Sequence, residues 1–147
     1  MRGHQLAMAL REAYLALHRR TDAIMARSGV TADQFVVLAS LTEQIALTQR
    51  DLVVRTSSDP NTLRAMLILL ERRGLIERRP HATDSRARTV SLTRKGRSAF
   101  RKLWRQSETV RQRLLAALDP DDASVLVSQL RRIVAGLVNS PVQGELS

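Results

Sequence analysis

Residues 70–96 read LERRGLIERRPHATDSRARTVSLTRKG, and this stretch decides the fold of the 147-residue chain. Gly74 is placed to close a helix, and after it the apolar spacing changes from helical to alternating. Residues 75–77 and 89–92 then predict two short strands. The segment between the strands is rich in loop-favouring residue types, including Pro80 and Asp84. The stretch therefore predicts a β-hairpin that directly follows a helix.

Two short helices come before the hairpin. Thr48 opens the sequence TQRD, which is typical of a helix start, and the sequence TSSDPNT at residues 56–62 ends that helix and begins another. Asp59 is expected as the N-cap of the second helix and Pro60 as its first residue, where the missing N–H costs nothing. The inward face of that helix has helical spacing: Leu63, Met66, Leu67 and Leu70. Two helices joined by a tight turn and followed by a hairpin predict a winged helix-turn-helix.

Further helices flank this motif. The spacing predicts a long first helix over residues 5–28 and a second helix that begins with a capping box at Thr31. After the hairpin, one long helix is expected from Thr93, with an inner face formed by Phe100, Leu103, Trp104, Val110, Leu114 and Leu118. The sequence DPDD at residues 119–122 is expected to cap a last helix, with its Pro at the first helical position.

The positive charge is concentrated in the middle of the chain. The formal net charge is +10, and residues 50–105 alone carry +10, while the stretches before and after them carry +1 and −1. A concentrated excess indicates a polyanionic partner, and we favour nucleic acid over an acidic membrane or protein surface. Arg outnumbers Lys by 22 to 2, and Arg forms bidentate pairs with phosphate and with guanine edges.

The composition argues against several function classes. The sequence has no Cys, which excludes a disulfide framework, a thiolate metal site and a thiol redox sensor. Its three His residues are scattered without a carboxylate cluster, so we expect no metal site and no cofactor. No phosphate-binding loop or nucleophile motif is present, so an enzyme is not expected. No apolar run reaches the roughly 20 residues that span a bilayer, and a cytoplasmic protein without a membrane partner is expected.

The order of these elements resembles the MarR family of winged helix-turn-helix transcriptional regulators, which are dimers that bind palindromic operators. The resemblance covers nearly the whole chain and depends most on residues 70–96. The family pattern is L-E-x-x-G-L-[VI]-x-R, then D-x-R, then a Leu-Thr pair followed by Gly. It is matched by Leu70, Glu71, Gly74, Leu75, Ile76, Arg78, Asp84, Arg86, Leu92, Thr93 and Gly96. The chain departs from the family at Arg64 and Ala65, where a small or hydroxyl residue followed by Arg is more common.

The predicted fold class is thus mainly α with a small β-hairpin wing (α+β), a winged helix-turn-helix flanked by N- and C-terminal dimerisation helices. Residues 1–30 are expected to form the N-terminal dimerisation helix and residues 31–95 the DNA-binding lobe. Residues 96–140 are expected to form the C-terminal dimerisation helices, ended by Asn139 and Pro141. Residues 141–147 are expected to be a flexible tail.

The helix that begins at Pro60 is expected to enter the major groove, with its N-terminal half against the base edges. Because one face is buried, the opposite face presents Asn61, Thr62, Arg64, Ala65 and Ile68. Arg64 has the donor geometry to pair with a guanine, and Asn61 with an adenine, although Asn61 could equally serve the N-cap. The preceding helix crosses the DNA backbone in such motifs, and the candidates for backbone contacts there are Arg50, Arg55 and Ser58.

Six wing residues are candidates for DNA binding: Arg78, Arg79, His81, Asp84, Arg86 and Arg88. The family resemblance implies that Arg86 at the tip reaches into the minor groove, where the negative potential is strong. DNA would repel Asp84, so we expect that residue to accept a hydrogen bond from a guanidinium and to hold the hairpin tip in shape. An Asp selected only for its turn preference is the alternative. The sequence does not rank the remaining wing residues as phosphate contacts.

The flanking helices carry more apolar surface than one winged motif can cover, which predicts a homodimer. A symmetric partner would place two recognition helices about 34 Å apart, one turn of DNA. The candidates for the dimer interface are Leu6, Leu10, Tyr14, Leu126, Leu130, Ile133 and Leu137. A monomer in which the same residues form a private core is the alternative.

These features together predict a sequence-specific DNA-binding transcriptional regulator that binds a palindromic operator as a homodimer. The resemblance implies that it is a repressor, released by a small aromatic or anionic ligand that binds between the dimer helices and the DNA-binding lobes. The sequence does not locate the ligand pocket. The alternative is a winged-helix module without ligand response, which docks an acidic protein or binds DNA without sequence preference.

Overall fold

The computed structural model describes residues 1–43, 45–84 and 86–138. The expected helix end at Asn139 and Pro141, and the tail over residues 141–147, lie outside the described residues. The chain divides into two compact units, Met1–Glu108 and Thr109–Ser147. In chain order the elements are α1 (Arg2–Ala26), α2 (Ala32–Glu43), β1 (Leu47–Thr48), α3 (Gln49–Thr56), α4 (Pro60–Arg72), β2 (Ile76–Pro80), β3 (Arg88–Leu92), α5 (Arg94–Gln106), α6 (Glu108–Ala116) and α7 (Asp122–Val138).

The capping residues predicted for α2 and α3 are confirmed. At the start of α2, the Gln34 N–H donates to Thr31 Oγ1 at 3.0 Å, and the Thr31 N–H donates to Gln34 Oε1 at 3.1 Å. Thr48 and Asp51 exchange the same pair of bonds at the start of α3. Each exchange satisfies two N–H groups that have no partner inside the helix. These caps fix where α2 and α3 begin.

The wing belongs to a sheet of three strands, one more than the sequence predicts. The strand order is β1-β3-β2, and both pairs are antiparallel, with Leu47 opposite Val90 and Ile76 opposite Leu92. The unpredicted strand, β1, has only two residues, which is too short for an alternating pattern to reveal. At the edge of the sheet, β2 continues to Pro80, because a residue without an N–H is tolerated on an edge strand.

The core of the first unit orients α4. All four residues of its predicted inward face are buried: Leu63, Met66, Leu67 and Leu70. They pack with apolar residues of the other helices and the sheet, among them Met25, Val37, Leu38, Leu52, Ile76, Val90 and Leu103. Burial of a side chain of this size contributes about 1.5–3 kcal/mol, so the face that α4 turns outward is firmly set.

Two predictions about the C-terminal helices are wrong. The single long helix expected from Thr93 is interrupted at Ser107, whose hydroxyl donates to the Trp104 carbonyl at 3.0 Å. A serine side chain competes in this way with the helical hydrogen bonds of the backbone. The last helix begins at Asp122 and not at Pro120, because the Asp122 N–H donates to the Asp119 carbonyl at 2.9 Å and closes a turn.

Candidate DNA-binding surface

The turn between α3 and α4 sets the start of α4, the predicted recognition helix. Ser57, which follows α3, adopts a left-handed conformation with φ of 51°. Asp59 then caps α4, and its Oδ2 accepts from the N–H groups of Asn61 and Thr62, both at 3.1 Å. Asp59 alone therefore provides the side-chain cap, and Asn61 contributes only its backbone N–H. The side chain of Asn61 stays exposed at the first turn of the helix.

The outward face of α4 carries the predicted base contacts. Four of the five are exposed: Asn61, Thr62, Arg64 and Ala65. Ile68 is half-buried, so it offers less surface than the sequence pattern implies. Leu69, which was not predicted as a contact, is 48% exposed. The surface available to a partner is thus polar and basic in the N-terminal half of the helix and apolar further along.

Arg78 joins the wing to α4. Its Nε and Nη2 donate to the two carboxylate oxygens of Glu71 at 3.1 and 3.0 Å, a bidentate ion pair between β2 and the last turn of α4. The hydrogen bonds from Arg78 are the main reason that the pKa of Glu71 lies below its ordinary value. The pKa of Arg78 is raised by the same contact. The sequence predicted no functional role for Glu71 or for its pairing with Arg78, because a sequence motif does not reveal which of its residues are in contact.

The other wing arginines differ in how far they are free to meet a partner. Arg79 pairs with Glu77 at 3.1 Å and is 71% exposed. Arg86 and Arg88 are also exposed, and neither forms an ion pair with a carboxylate of the described residues. The wing therefore presents Arg86 and Arg88 as its most available cations, whereas Arg78 is already committed to Glu71.

Backbone hydrogen bonds to two side chains shape the wing loop. Asp84 Oδ1 accepts from the Arg86 N–H at 3.0 Å. His81 Nδ1 accepts from the N–H groups of Thr83 and Asp84 at 3.2 and 3.1 Å. The expected bond from a guanidinium to Asp84 is thus replaced by one from a backbone amide, which is the typical use of Asp in a turn. Asp84 still orders the residue that the wing presents.

The three candidates for backbone contacts in the helix-turn-helix are placed differently. Arg50 is exposed at the start of α3. Arg55 pairs with Glu43 at 2.9 Å, so part of its charge is already balanced. The Ser58 hydroxyl lies 2.8 Å from the hydroxyl of Thr56 within the turn. Arg50 is therefore the most accessible of the three.

The predicted dimer residues leave apolar surface uncovered in each unit. On α1, Leu6 is 52% exposed and Tyr14 57%, while Leu10 is partly buried. On α7, Leu126, Leu130 and Leu137 are exposed and Ile133 is partly buried. No residue of α7 is fully buried within the described chain. Each unit therefore leaves apolar side chains of its predicted dimer face exposed.

A cleft between α2 and α5 was not predicted. It has a volume of about 410 Å³ and is lined by Ala39, Thr42, Glu43, Phe100, Arg101, Trp104 and Arg105. The rings of Phe100 and Trp104 lie 5.9 Å apart, and Phe100 stacks on Phe35 at 5.6 Å. The sequence pattern places Trp104 on the inner face of its helix, but the side chain is 46% exposed. Aromatic rings next to two guanidinium groups suit a flat anionic molecule.

Residues 1–43, 45–84 and 86–138 contain neither a cluster of metal ligands nor a candidate membrane span. No three His, Asp or Glu side chains come together there as metal ligands. No helix in the same ranges combines the length and the apolar character that a membrane span requires.

Comparisons with known proteins agree with this architecture. The model of the MarR family matches residues 30–87. The transcriptional regulator HosA of Escherichia coli O157:H7 is 27% identical over 105 residues, which cover 71% of this chain and 78% of HosA. A structure of BpsR from Bordetella bronchiseptica, concerned with regulation of its DNA binding by 6-hydroxynicotinic acid, is 30% identical, with a TM-score of 0.78 over 87% of this chain and 91% of BpsR. A mutant of MarR from Escherichia coli, complexed with operator DNA, is 25% identical, with a TM-score of 0.79 over 88% and 93% of the two chains.

Proposed function

This chain belongs to the MarR family of DNA-binding transcriptional regulators, and we propose that it is a cytoplasmic repressor that binds a palindromic operator as a homodimer. In this proposal, α4 enters the major groove, Arg86 of the wing reaches the minor groove, and a small aromatic anion releases the DNA. Regulators of this family act by binding DNA and not by catalysis, so the chain is not an enzyme.

The observation that carries the proposal is the ion pair between Glu71 and Arg78. It joins the base of the wing to α4, so that the helix carrying Arg64 and the hairpin carrying Arg86 are held side by side. A base-reading helix and an adjacent cationic loop, held in one arrangement, are what a winged motif needs to read two grooves at once. The charge excess of residues 50–105 belongs to the segment that contains both elements.

The homodimer is supported by the exposed apolar faces of α1 and α7. Leu6 and Tyr14 on α1, and Leu126 and Leu130 on α7, would be covered by a second copy of the chain. A two-fold partner also explains why the operator should be palindromic, since each recognition helix then reads one half-site.

The ligand is supported by the cleft between α2 and α5. An aromatic ring would lie against Phe100 and Trp104, and Arg101 or Arg105 would pair with a carboxylate. The regulation of BpsR by 6-hydroxynicotinic acid, an aromatic acid, favours the same class of effector here. Such a ligand releases DNA only to the extent that it binds better to the conformation that misfits the operator.

Selection of bound duplexes from a random-sequence library tests the DNA-binding part of the proposal. We expect the selected duplex to be palindromic and to bind about 10³-fold or more tightly than random duplex, with a steep salt dependence for both. Equal affinity for every duplex would favour a module that binds DNA without sequence preference. Absence of duplex binding at low ionic strength would favour the protein-docking alternative.

Arg64→Ala tests the direct reading of bases. We expect it to weaken binding to the selected duplex by about 1–3 kcal/mol and to relax the base preference at one position in each half-site. Arg72→Ala, which removes an equal charge from the other end of α4, should leave the base preference unchanged. If Arg64→Ala weakens binding to all sequences equally, Arg64 contacts phosphate and not a base.

The single Trp of the chain, Trp104, reports on the cleft. Titration with 6-hydroxynicotinic acid should change its fluorescence, and the same acid should dissociate the selected duplex. Arg101→Ala should weaken both effects, whereas Lys102→Ala, a neighbouring cation outside the cleft lining, should not. An unchanged fluorescence with a range of aromatic acids would remove the cleft from the mechanism.

A further inference from the structure

Arg73 ties the C-terminal end of the recognition helix to the end of α1. It directly follows the last residue of α4, and its Nη1 donates to the Gly29 carbonyl at 2.6 Å. Its Nη2 donates to the Ser28 carbonyl at 3.2 Å. Both terminal nitrogens of the guanidinium are therefore engaged by neighbouring carbonyls 44 and 45 positions earlier in the chain.

The acceptors of these bonds lie in the turn that follows α1, close to the C-terminal end of that helix. Helix α1 ends at Ala26, just before Ser28 and Gly29, and the chain turns away at Gly29, which has φ of 69°. The helix dipole places partial negative charge at this end, so a guanidinium is favoured electrostatically. The same turn contacts α5, because the Ser28 hydroxyl donates to Gln106 Oε1 at 3.1 Å.

The far side of Arg73 is also held. Lys95 on α5 donates through Nζ to the Arg73 carbonyl at 2.9 Å. Two residues earlier, Glu71 makes the bidentate pair with Arg78 of the wing. The C-terminal end of α4 is thus fastened to α1, α5 and β2, while its N-terminal half, which carries Arg64, is the part that would contact DNA.

We propose that Arg73 is a positioning residue that sets the spacing between the two recognition helices of the dimer, and so selects the half-site separation. This inference rests on the proposed homodimer and palindromic operator. The 13 residues of α4 extend about 20 Å, so a pivot of about 5° at Arg73 would move the N-terminal end by about 1.7 Å. Two such shifts in a symmetric dimer together approach about 3.4 Å, the rise of one base pair. A small rotation of α4 about the Arg73 contact would therefore change the matching distance between half-sites by a whole base pair.

The test uses the duplex obtained by selection and versions with the spacer between half-sites changed by one and two base pairs. Wild type should prefer one spacing by about tenfold or more, whereas Arg73→Ala should prefer it by less than about threefold. Arg73→Lys, which keeps the charge and does not have the planar fork of the guanidinium, should lose the preference as well. Arg72→Ala, which removes the same charge from the adjacent position, should keep the wild-type ratio.

The ratio of the affinities for duplexes with different spacers distinguishes a positioning role of Arg73 from a role in stability. A loss of folded protein lowers the affinity for every duplex equally and leaves this ratio unchanged. If Arg73→Ala does not fold, Arg73→Lys decides the question by the same ratio. Wild-type ratios in both Arg73 variants, or an equal loss in Arg72→Ala, would overturn the role of Arg73 and leave the proposed function intact. A wild-type protein indifferent to spacing would overturn the dimer on a palindrome and this inference with it.

Discussion

Gly96 lies in the first turn of α5, where that helix passes the backbone of Leu75. A Cβ at this position would lie 1.9 Å from the Leu75 carbonyl oxygen, which belongs to the backbone and has little room to move. The Thr93 N–H donates to the same carbonyl at 3.1 Å, so the wing base and α5 approach each other closely. The close packing of strand and helix at this junction therefore requires a glycine at position 96.

Gly96→Ala is expected to lower the free energy of unfolding by about 2 kcal/mol or more, because the added methyl group forces backbone apart. Thermal and urea unfolding measure the effect. Gly3→Ala is the matched control, since a Cβ there meets nothing within 4 Å. A Gly96→Ala variant as stable as wild type would show that the junction relaxes at little cost.

Glu71→Gln is expected to make stability less sensitive to acid. The pKa of Glu71 is lowered in the folded state, mainly by the hydrogen bonds from Arg78. A lowered carboxyl pKa contributes stability above the unfolded-state pKa of about 4.3, and that stability is lost as the pH falls through the folded-state pKa. The Tm of Glu71→Gln should therefore lie below that of wild type at pH 7, and the difference should shrink towards pH 3.

The control is Glu77→Gln, which removes a carboxylate whose partner, Arg79, is mostly exposed. Exposed ion pairs contribute little, so its Tm should follow that of wild type across the same range. If the Tm of Glu71→Gln falls with pH as steeply as that of wild type, Glu71 does not carry the acid dependence.

At the scale of elements, the wing loop is shaped by hydrogen bonds from its backbone N–H groups to its own side chains. Asp84 accepts the Arg86 N–H, so the carboxylate shapes the turn that presents Arg86. Asp84→Asn keeps an acceptor and removes the negative charge, and we expect it to bind the selected duplex at least as tightly as wild type. Asp84→Ala removes the acceptor and should bind about three- to tenfold more weakly, because the turn loses a hydrogen bond. Tight binding by the Ala variant would mean that the turn does not need this side chain.

Arg86→Ala is expected to weaken operator binding by more than about tenfold, as expected for an arginine placed in a narrow minor groove. Its Tm should not change, because Arg86 is exposed and makes no ion pair with a carboxylate of the described residues. Arg79→Ala provides a comparison, since that residue is exposed but partly balanced by Glu77. Unchanged affinity of Arg86→Ala in fluorescence anisotropy would remove the wing tip from the mechanism.

The sequence predicted the starts of the helices correctly where the capping residues gave a strong local signal. The caps at Thr31, Thr48 and Asp59 were predictable because each uses a side chain within three residues of its backbone partner. The interruption at Ser107 was not predictable, since apolar spacing continues across it. Contacts such as those of Arg73 with Gly29 join distant parts of the chain, and no local pattern encodes them.

The whole molecule is expected to be a dimer of about twice 16.5 kDa. Leu126→Glu combined with Leu130→Glu should give a monomer in sedimentation experiments, because charges would enter the covered apolar face of α7. The same variant should bind the palindromic duplex far more weakly, since one recognition helix reads only one half-site. Val54→Glu, at an exposed position of α3 outside this face, should leave the mass unchanged. A wild-type monomer would contradict the dimer.

The two lysines of the chain, Lys95 and Lys102, both lie on α5, so arginine is the only permanently charged basic residue of α4 and of the wing. Guanidinium groups stay charged at all pH values that cells experience and do not react with acyl donors as amines do. Acetylation therefore has no amine to modify on the surface that would meet DNA. An amine that acetylation can modify is present at Lys95 on α5, where the ammonium donates a hydrogen bond to the Arg73 carbonyl.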